Sequence, residues 1–228
     1  YTAAAALTGA AVAVLLWVTG ALDPWEARTW DIRARMLAEK GEATDQIALI
    51  LVDQNSLDWG KAENGLSWPW PREIYAHLIR YCMEGGAKAV ALDILFTEPS
   101  GYGPGDDGQL GSAIDESGRV AAAVFLGRKS GDRKLWPASV PRKGVVVEGL
   151  DQVPGGENKA GVTYPLASFP VKEIAAPSAV LANVQLSPDP DGVYRRLNLL
   201  SRFDGAFLPT MGLGAFAAGN PDMKLRLA

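Results

Sequence analysis

Two continuous apolar runs constrain this chain more than any other feature of its sequence. They are IALILVD, residues 47–53, and AVALDILF, residues 89–96. Apolar runs without alternation are typical of strands that are buried on both faces of a parallel sheet. Between them lies PREIYAHLIRYCMEGGA, residues 71–87, whose apolar positions fall on one helical face. The order strand, helix, strand predicts a right-handed βαβ unit.

The remainder of the chain extends this pattern. A third buried strand is predicted at VAAAVFL, residues 120–126, after a short helix in GQLGSAIDESG, residues 108–118. Residues 183–207 predict two strands around a Pro-Asp-Gly turn, and the apolar, glycine-rich residues 209–219 predict a last helix. The predicted fold class is therefore α/β, with a mostly parallel central sheet flanked by helices and a C-terminal antiparallel hairpin.

The first 22 residues contain no charged side chain. As a helix they would extend roughly 33 Å, about the thickness of one hydrocarbon core. We predict a transmembrane helix at residues 1–22 and an extracytoplasmic domain at residues 23–228. A signal peptide and a buried core helix are the alternatives. The start at Tyr1, without an initiator Met, suggests a fragment, and residues 23–41 predict a second helix directly after the span.

The composition excludes several classes of function. The 228 residues carry a net charge of −4, which argues against nucleic acid as a partner. The single cysteine, Cys82, cannot form an intrachain disulfide. The single histidine, His77, excludes a histidine-rich metal site. We expect no cofactor.

The stretch GLSWPWPREIY, residues 65–75, places two Trp-Pro pairs directly before an arginine. Proline favours an extended conformation in the residue before it, so Trp68 and Trp70 are held extended. Pro71 then stands where a helix begins. Arg72 is consequently a cation in the first helical turn, where the helix dipole favours anions.

Aspartates at the ends of the predicted strands are the expected partners of Arg72. Asp53 ends the first strand and Asp93 lies late in the second, and ligand sites of parallel sheets lie beyond such strand ends. We expect one of the two to bind Arg72 as a bidentate ion pair. Asp106 and Asp107 follow in a loop that we predict to be acidic and flexible.

Three interpretations of these aspartates stay open. They form a structural ion-pair network, they bind a ligand or a hard cation such as Mg²⁺ or Ca²⁺ through oxygen, or they serve a hydrolytic or phosphoryl-transfer site. A catalytic site is disfavoured, because no histidine, nucleophile motif or lysine lies near the strand ends. The identity of any metal is unknown from sequence.

A basic segment, residues 128–143, holds six basic residues and one acidic residue. Prolines at positions 137 and 141 favour an irregular loop. A solvated loop and a surface for a membrane or an anionic partner are the two interpretations.

Seven segments of the chain form an ordered set of motifs: WDIRAR, IALILVDQNSL, WPWPREIYAHLI, GGAKAVALDILFTEP, DDGQLGSAI, NVQLSPDPDGVYRRL and FLPTMGLGAFAAG. This ordered set resembles the second class of CHASE-type domains, the cyclase/histidine-kinase-associated sensory extracellular domains of bacterial membrane receptors. The resemblance covers nearly everything after Leu22.

This resemblance implies a sensory domain outside the cytoplasmic membrane, behind an N-terminal transmembrane helix. The effector of such receptors is commonly an adenylate or guanylate cyclase, a histidine kinase or a serine/threonine kinase. We expect a homodimer in the bacterial cell membrane, with an unknown ligand or cue. Pro69 stands on a motif position, and the other residues on such positions are our candidate ligand-binding residues: Asp53, Trp68, Arg72, Asp93, Phe96 and Asp107.

Two other functions compete with sensing. A non-sensing dimerisation module would use the tryptophan-bearing helix at residues 23–40 as an apolar interface. A membrane-anchored hydrolase would require turnover that depends on a divalent cation.

Overall fold

The computed structural model describes residues 2–39, 41–143, 145–149 and 161–226. The chain is mixed α/β and divides into two compact units, Tyr1–Trp59 and Gly60–Ala228. The helices are α1 (Thr2–Val18), α2 (Asp23–Leu37), a 3₁₀ turn (Glu42–Gln46), α3 (Gln54–Asn64), α4 (Arg72–Glu84), α5 (Pro104–Ser117), α6 (Lys172–Ala175) and α7 (Met211–Gly219). The strands are β1 (Val90–Leu92), β2 (Val120–Gly127), β3 (Val147–Glu148), β4 (Val162–Thr163), β5 (Leu166–Ser168), β6 (Val180–Asn183), β7 (Leu200–Phe203), β8 (Ala206–Pro209) and β9 (Leu225–Arg226).

The main sheet is built around β2, whose residues are buried except for the half-buried Phe125. β1 and β6 pair with β2 in parallel, whereas β5 pairs antiparallel with the last three residues of β2. A second sheet joins β4 in parallel and β8 antiparallel to β7, and β3 pairs with β9. The apolar run in β2 therefore forms the buried strand that its sequence predicts, but the sheets are mixed rather than mostly parallel.

The predicted first strand is wrong. Residues 47–53 form no strand, and their apolar side chains are exposed, with Ile47 72% and Leu49 79% accessible. The predicted second strand is confirmed only at Val90–Leu92. An apolar run becomes a strand only where a neighbouring strand completes its backbone hydrogen bonds. A parallel βαβ unit is instead formed by β1, α5 and β2.

The C-terminal antiparallel hairpin is confirmed, but its position differs from the prediction. It consists of β7 and β8, which join at Asp204 and Gly205. Both turn residues have positive φ, 46° and 79°, the conformation that two-residue hairpin turns favour. No strand lies on either side of the Pro-Asp-Gly turn at residues 190–192.

Helices α4 and α5 pack against each other through apolar faces that include Ile79 and Ile114, both fully buried. α5 also approaches α6 closely, because a Cβ atom at Gly111 would lie 2.3 Å from the carbonyl oxygen of Glu173. The packing of α4 on α5 brings the first turns of these two helices together. The candidate site is built at that junction.

The N-terminal segment differs from its prediction. Across the described part of the chain, which leaves out Tyr1, no individual helix is both long and apolar enough to cross a bilayer. Residues 6–18 and 23–37 meet that requirement only as a pair, and the two helices are bent by 79° relative to each other. The single transmembrane helix predicted at residues 1–22 is therefore not found.

Candidate functional site

Arg72, the first residue of α4, is buried at the junction with α5. Its Nε atom donates to Oδ1 of Asp107 at 3.2 Å, and its Nη2 atom donates to the backbone carbonyl of Glu98 at 3.1 Å. The guanidinium carbon lies 4.4 Å from the ring centroid of Phe96, in a cation–π arrangement. A carboxylate, a carbonyl and an aromatic face thus hold the cation from three directions.

The expected partners of Arg72 are therefore wrong. Its carboxylate partner is Asp107, and the contact is a single hydrogen bond rather than a bidentate pair. Asp53 instead caps α3, where its Oδ1 atom accepts hydrogen bonds from the backbone N–H and the hydroxyl of Ser56, both at 2.9 Å. The bond from the Ser56 N–H is the main cause that lowers the pKa of Asp53. Asp93 is exposed.

Asp106 explains why a helix can begin at Arg72. The residue before it, Pro71, has no side chain that can cap the helix. The carboxylate of Asp106 takes over this role, since it accepts from the backbone N–H of Arg72 at 2.8 Å and of Glu73 at 3.0 Å. These are two of the four N–H groups that a helix start leaves unpaired. A carboxylate from α5 therefore caps α4.

Ser100 completes the cluster from the loop before α5. Its backbone N–H donates to Oδ2 of Asp107 at 2.8 Å, and its hydroxyl donates to Oδ2 of Asp106. Asp106 and Asp107 lie in the first turn of α5, where the helix dipole stabilises negative charge. The two carboxylates are therefore fully engaged within the protein. We predicted a flexible acidic loop here, and that prediction is wrong.

A cavity of about 180 Å³ opens beside Arg72. Trp68 forms an exposed part of its wall, with 54% of its surface accessible, and Trp70 is buried behind it. The two rings meet edge to face with centroids 6.4 Å apart, and the Trp68–Pro69 peptide bond is cis. The lining residues are Trp68, Pro69, Arg72, Tyr75, Ile94, Leu95, Thr97 and Glu98.

Tyr75 forms the floor between the cavity and the core. Its ring packs edge to face on Phe96, with centroids 5.3 Å apart. Burial raises the pKa of the Tyr75 hydroxyl, and the positive charge of Arg72 opposes this rise. The phenol therefore stays neutral at physiological pH.

The structure brings four of the sequence-predicted residues together: Trp68, Arg72, Phe96 and Asp107. The cavity offers aromatic and apolar walls with a guanidinium, a hydroxyl and the Glu98 carboxylate, which suits the binding of a small amphipathic molecule. Within the described ranges, no group of three or more His, Cys, Asp or Glu side chains is arranged to hold a metal ion.

Tyr75 and Glu98 are site residues that the sequence predictions missed, and Asp106 was named only as part of an acidic loop, not as a helix cap. For Asp106 a signal existed, because a proline before a predicted helix cannot cap it and a distant acceptor is then required.

A family model described as the CHASE2 domain matches residues 7–227, nearly the whole chain. The chain belongs to the CHASE2 family. This confirms the resemblance carried by the ordered motifs, and CHASE2 domains are sensory domains of the extracellular type. No curated protein and no solved structure matches this CHASE2 domain.

Proposed function

We propose that this CHASE2 domain is the signal-input part of a bacterial transmembrane receptor, located outside the cytoplasmic membrane. In this proposal it controls a cytoplasmic effector, most directly an adenylate or guanylate cyclase. Membership of a sensory domain family over residues 7–227 is the observation that carries the proposal. A receptor histidine kinase or serine/threonine kinase is the alternative effector.

The cavity beside Arg72 is the proposed place of ligand action. Trp68 and Arg72 line it and would contact the ligand, whereas Phe96 and Asp107 hold the guanidinium in position. Asp53 and Asp93 take no part in this proposal.

A ligand at this cavity has a physical route to the fold. Arg72 begins α4, and its carboxylate partner begins α5, so a ligand that draws the guanidinium away from Asp107 would change the junction of the two helices. Such a ligand shifts the equilibrium between two arrangements by its differential affinity for them. Ligand binding and helix packing are thereby coupled.

The proposed attachment to the membrane is the uncharged N-terminal segment, residues 1–22. α2 follows it directly, so we propose α2 as the element that transmits a tilt or rotation toward the membrane. Its exposed apolar side chains, Trp25, Ile32 and Met36, also suit a homodimer interface. A second function, as a dimerisation module without sensing, would rest on this same surface.

Cysteine crosslinking in the full-length receptor tests the proposal without knowledge of the ligand. Single cysteines at exposed positions along residues 25–36, in a Cys82→Ser background, would be crosslinked between two protomers in membranes. We expect crosslinks at some positions to raise or lower cyclase or kinase output. Efficient crosslinking without any change in output at every position would contradict the sensory function and favour the assembly function.

A further inference from the structure

A second cavity, of about 190 Å³, lies at the carboxyl ends of two parallel strands. It begins where β2 ends at Gly127, and its other side is formed by residues that follow β6. In open sheets with parallel strands, ligands bind beyond the carboxyl ends of those strands. Its lining residues are Phe125, Leu126, Gly127, Arg128, Lys129, Ser130, Tyr164, Gln185 and Ser187. We refer to these nine residues as the basic crevice.

The charge of the basic crevice is positive in a chain whose net charge is −4. Arg128 and Lys129 contribute two cations, and no Asp or Glu is among the described residues that line it. Within the described ranges, neither cation has an ion-pair or hydrogen-bond partner. Ser130 and Ser187 add hydroxyl groups to the same walls. The crevice thus presents donors and positive charge without a protein anion to neutralise them.

The loop that carries Arg128, Lys129 and Ser130 has a fixed backbone. A Cβ atom at Gly127 would lie 1.9 Å from the carbonyl oxygen of Ser130, so the turn closes only on glycine. Gly131 has φ of +133°, and its Cβ would lie 2.8 Å from the backbone nitrogen of Ala167. Reciprocal backbone hydrogen bonds of 2.9 Å between Arg133 and Ala167 then attach the loop to β5. The donors are therefore held on a defined backbone.

The opposite wall of the crevice, formed by Gln185 and Ser187, also has a fixed backbone. Asn183, the last residue of β6, is 3% exposed. Its Oδ1 atom accepts from the backbone N–H of Gln185 at 2.9 Å, and its Nδ2 atom donates to the hydroxyl of Ser201 at 2.9 Å. This buried amide sets the path of the chain that carries Gln185 and Ser187 into the crevice.

We propose that the basic crevice is a binding site for a small anion, a compact molecule that carries a phosphate or carboxylate group. Arg128 and Lys129 bind the anionic group through charge-assisted hydrogen bonds, with Ser130 and Ser187 as further donors. The side chains of Phe125 and Tyr164 contact the organic part of the molecule. This site is separate from the cavity beside Arg72, and binding to it does not depend on the proposed sensory function.

Calorimetric titration of the full 228-residue chain tests this inference. The probes are inorganic phosphate, phenyl phosphate and succinate, each at the same ionic strength set with sodium chloride, since unspecific attraction is screened by salt. Comparison of the phosphates with succinate determines which anionic group is preferred. The variant is Arg128→Gln with Lys129→Gln. Its matched control, Arg133→Gln with Lys134→Gln, removes the same charge from the same loop but outside the crevice.

We expect saturable binding of at least one probe. Its affinity should fall at least about tenfold in Arg128→Gln with Lys129→Gln, because each lost hydrogen bond to a charged group weakens binding roughly tenfold. In the control the affinity should fall by less than about twofold. Circular dichroism of each variant confirms that the fold is intact; both pairs are exposed, so their replacement leaves the core unchanged. Absence of saturable binding for all three probes would overturn the inference. Equal weakening by both pairs would also overturn it, because it indicates unspecific attraction to the loop.

Discussion

The Nε atom of Arg72 lies 3.2 Å from Oδ1 of Asp107, and the two side chains are only 10% and 4% exposed. This buried ion pair joins the first turn of α4 to the first turn of α5. Asp106 beside it caps the backbone of α4. The position of the cavity beside Arg72 therefore depends on two carboxylates of α5, Asp106 and Asp107.

Replacement of Arg72 by Met tests the worth of this pair. The change leaves Asp107 as a buried charge without its cation, so we expect the free energy of unfolding to fall by about 3 kcal/mol or more. The matched control is Arg80→Met on the same helix, where an exposed pair with Glu116 at 3.0 Å should contribute less than about 1 kcal/mol. Urea unfolding measures both. Equal losses in the two variants would argue against a special role of Arg72.

Asp106→Ala removes the cap of α4 from a distance. It leaves the backbone N–H groups of Arg72 and Glu73 without their acceptor, and we expect a loss of about 1–3 kcal/mol. Asp115→Ala, an exposed position on the same helix, should change stability by less than about 0.5 kcal/mol. Amide hydrogen exchange at Arg72 and Glu73 adds a local readout. Unchanged exchange there in Asp106→Ala would show that the cap is not formed.

Gly111→Ala tests the contact between α5 and α6. Its new methyl group would meet the carbonyl oxygen of Glu173 at 2.3 Å, so we expect a loss of about 1–3 kcal/mol despite the better helix propensity of alanine. Gly108→Ala on the same helix has nothing within 4 Å and should stabilise by up to about 1 kcal/mol. Thermal unfolding of the two variants should therefore shift in opposite directions. A rise in Tm for both would contradict the close packing of α5 and α6.

The acidic turn at residues 189–195 should titrate at low pH. The side-chain hydrogen bond from Arg195 is the main cause that lowers the pKa of Asp191 from 3.8 to about 2. A carboxyl group with a depressed pKa stabilises the fold above its unfolded pKa, and this contribution is lost as the pH falls through the folded value. The stabilisation by ionised Asp191 should therefore be lost between about pH 4 and pH 2. In NMR titrations the midpoint of Asp191 should move back toward 3.8 in Arg195→Gln, and a midpoint near 3.8 in the unchanged protein would refute the interaction.

Segments whose character is decided locally could be predicted from the sequence. The apolar stripe of α4, the run in β2 and the glycine-rich α7 all formed near the predicted positions. The structure of residues 47–53 could not be predicted in this way. A strand forms only where a neighbouring strand pairs with it, and the local sequence does not show whether such a strand is present. The hairpin was displaced for a related reason: both Pro-Asp-Gly and Asp204-Gly205 favour turns, and strand pairing selects the second.

The candidate site shows the same division between local and long-range information. The restricted backbone before Arg72 could be predicted from Trp-Pro-Trp-Pro. The need for an anion beside a cation at a helix start could be predicted as well. Four carboxylates were available, and only the packing of α4 on α5 selects Asp106 and Asp107. That packing depends on contacts between residues far apart in the chain, such as Arg80 with Glu116.

The most direct test of the account is a thermal-shift screen of the full chain against sugars, amino acids, nucleotides and divalent cations. It would be repeated in Trp68→Ala, which removes an exposed wall of the cavity, and in Trp59→Ala, which removes an exposed tryptophan that does not line it. We predict that at least one compound raises Tm by mass action, and that the shift disappears in Trp68→Ala but persists in Trp59→Ala. No shift with any compound, or only shifts that survive Trp68→Ala, would contradict ligand sensing at this cavity.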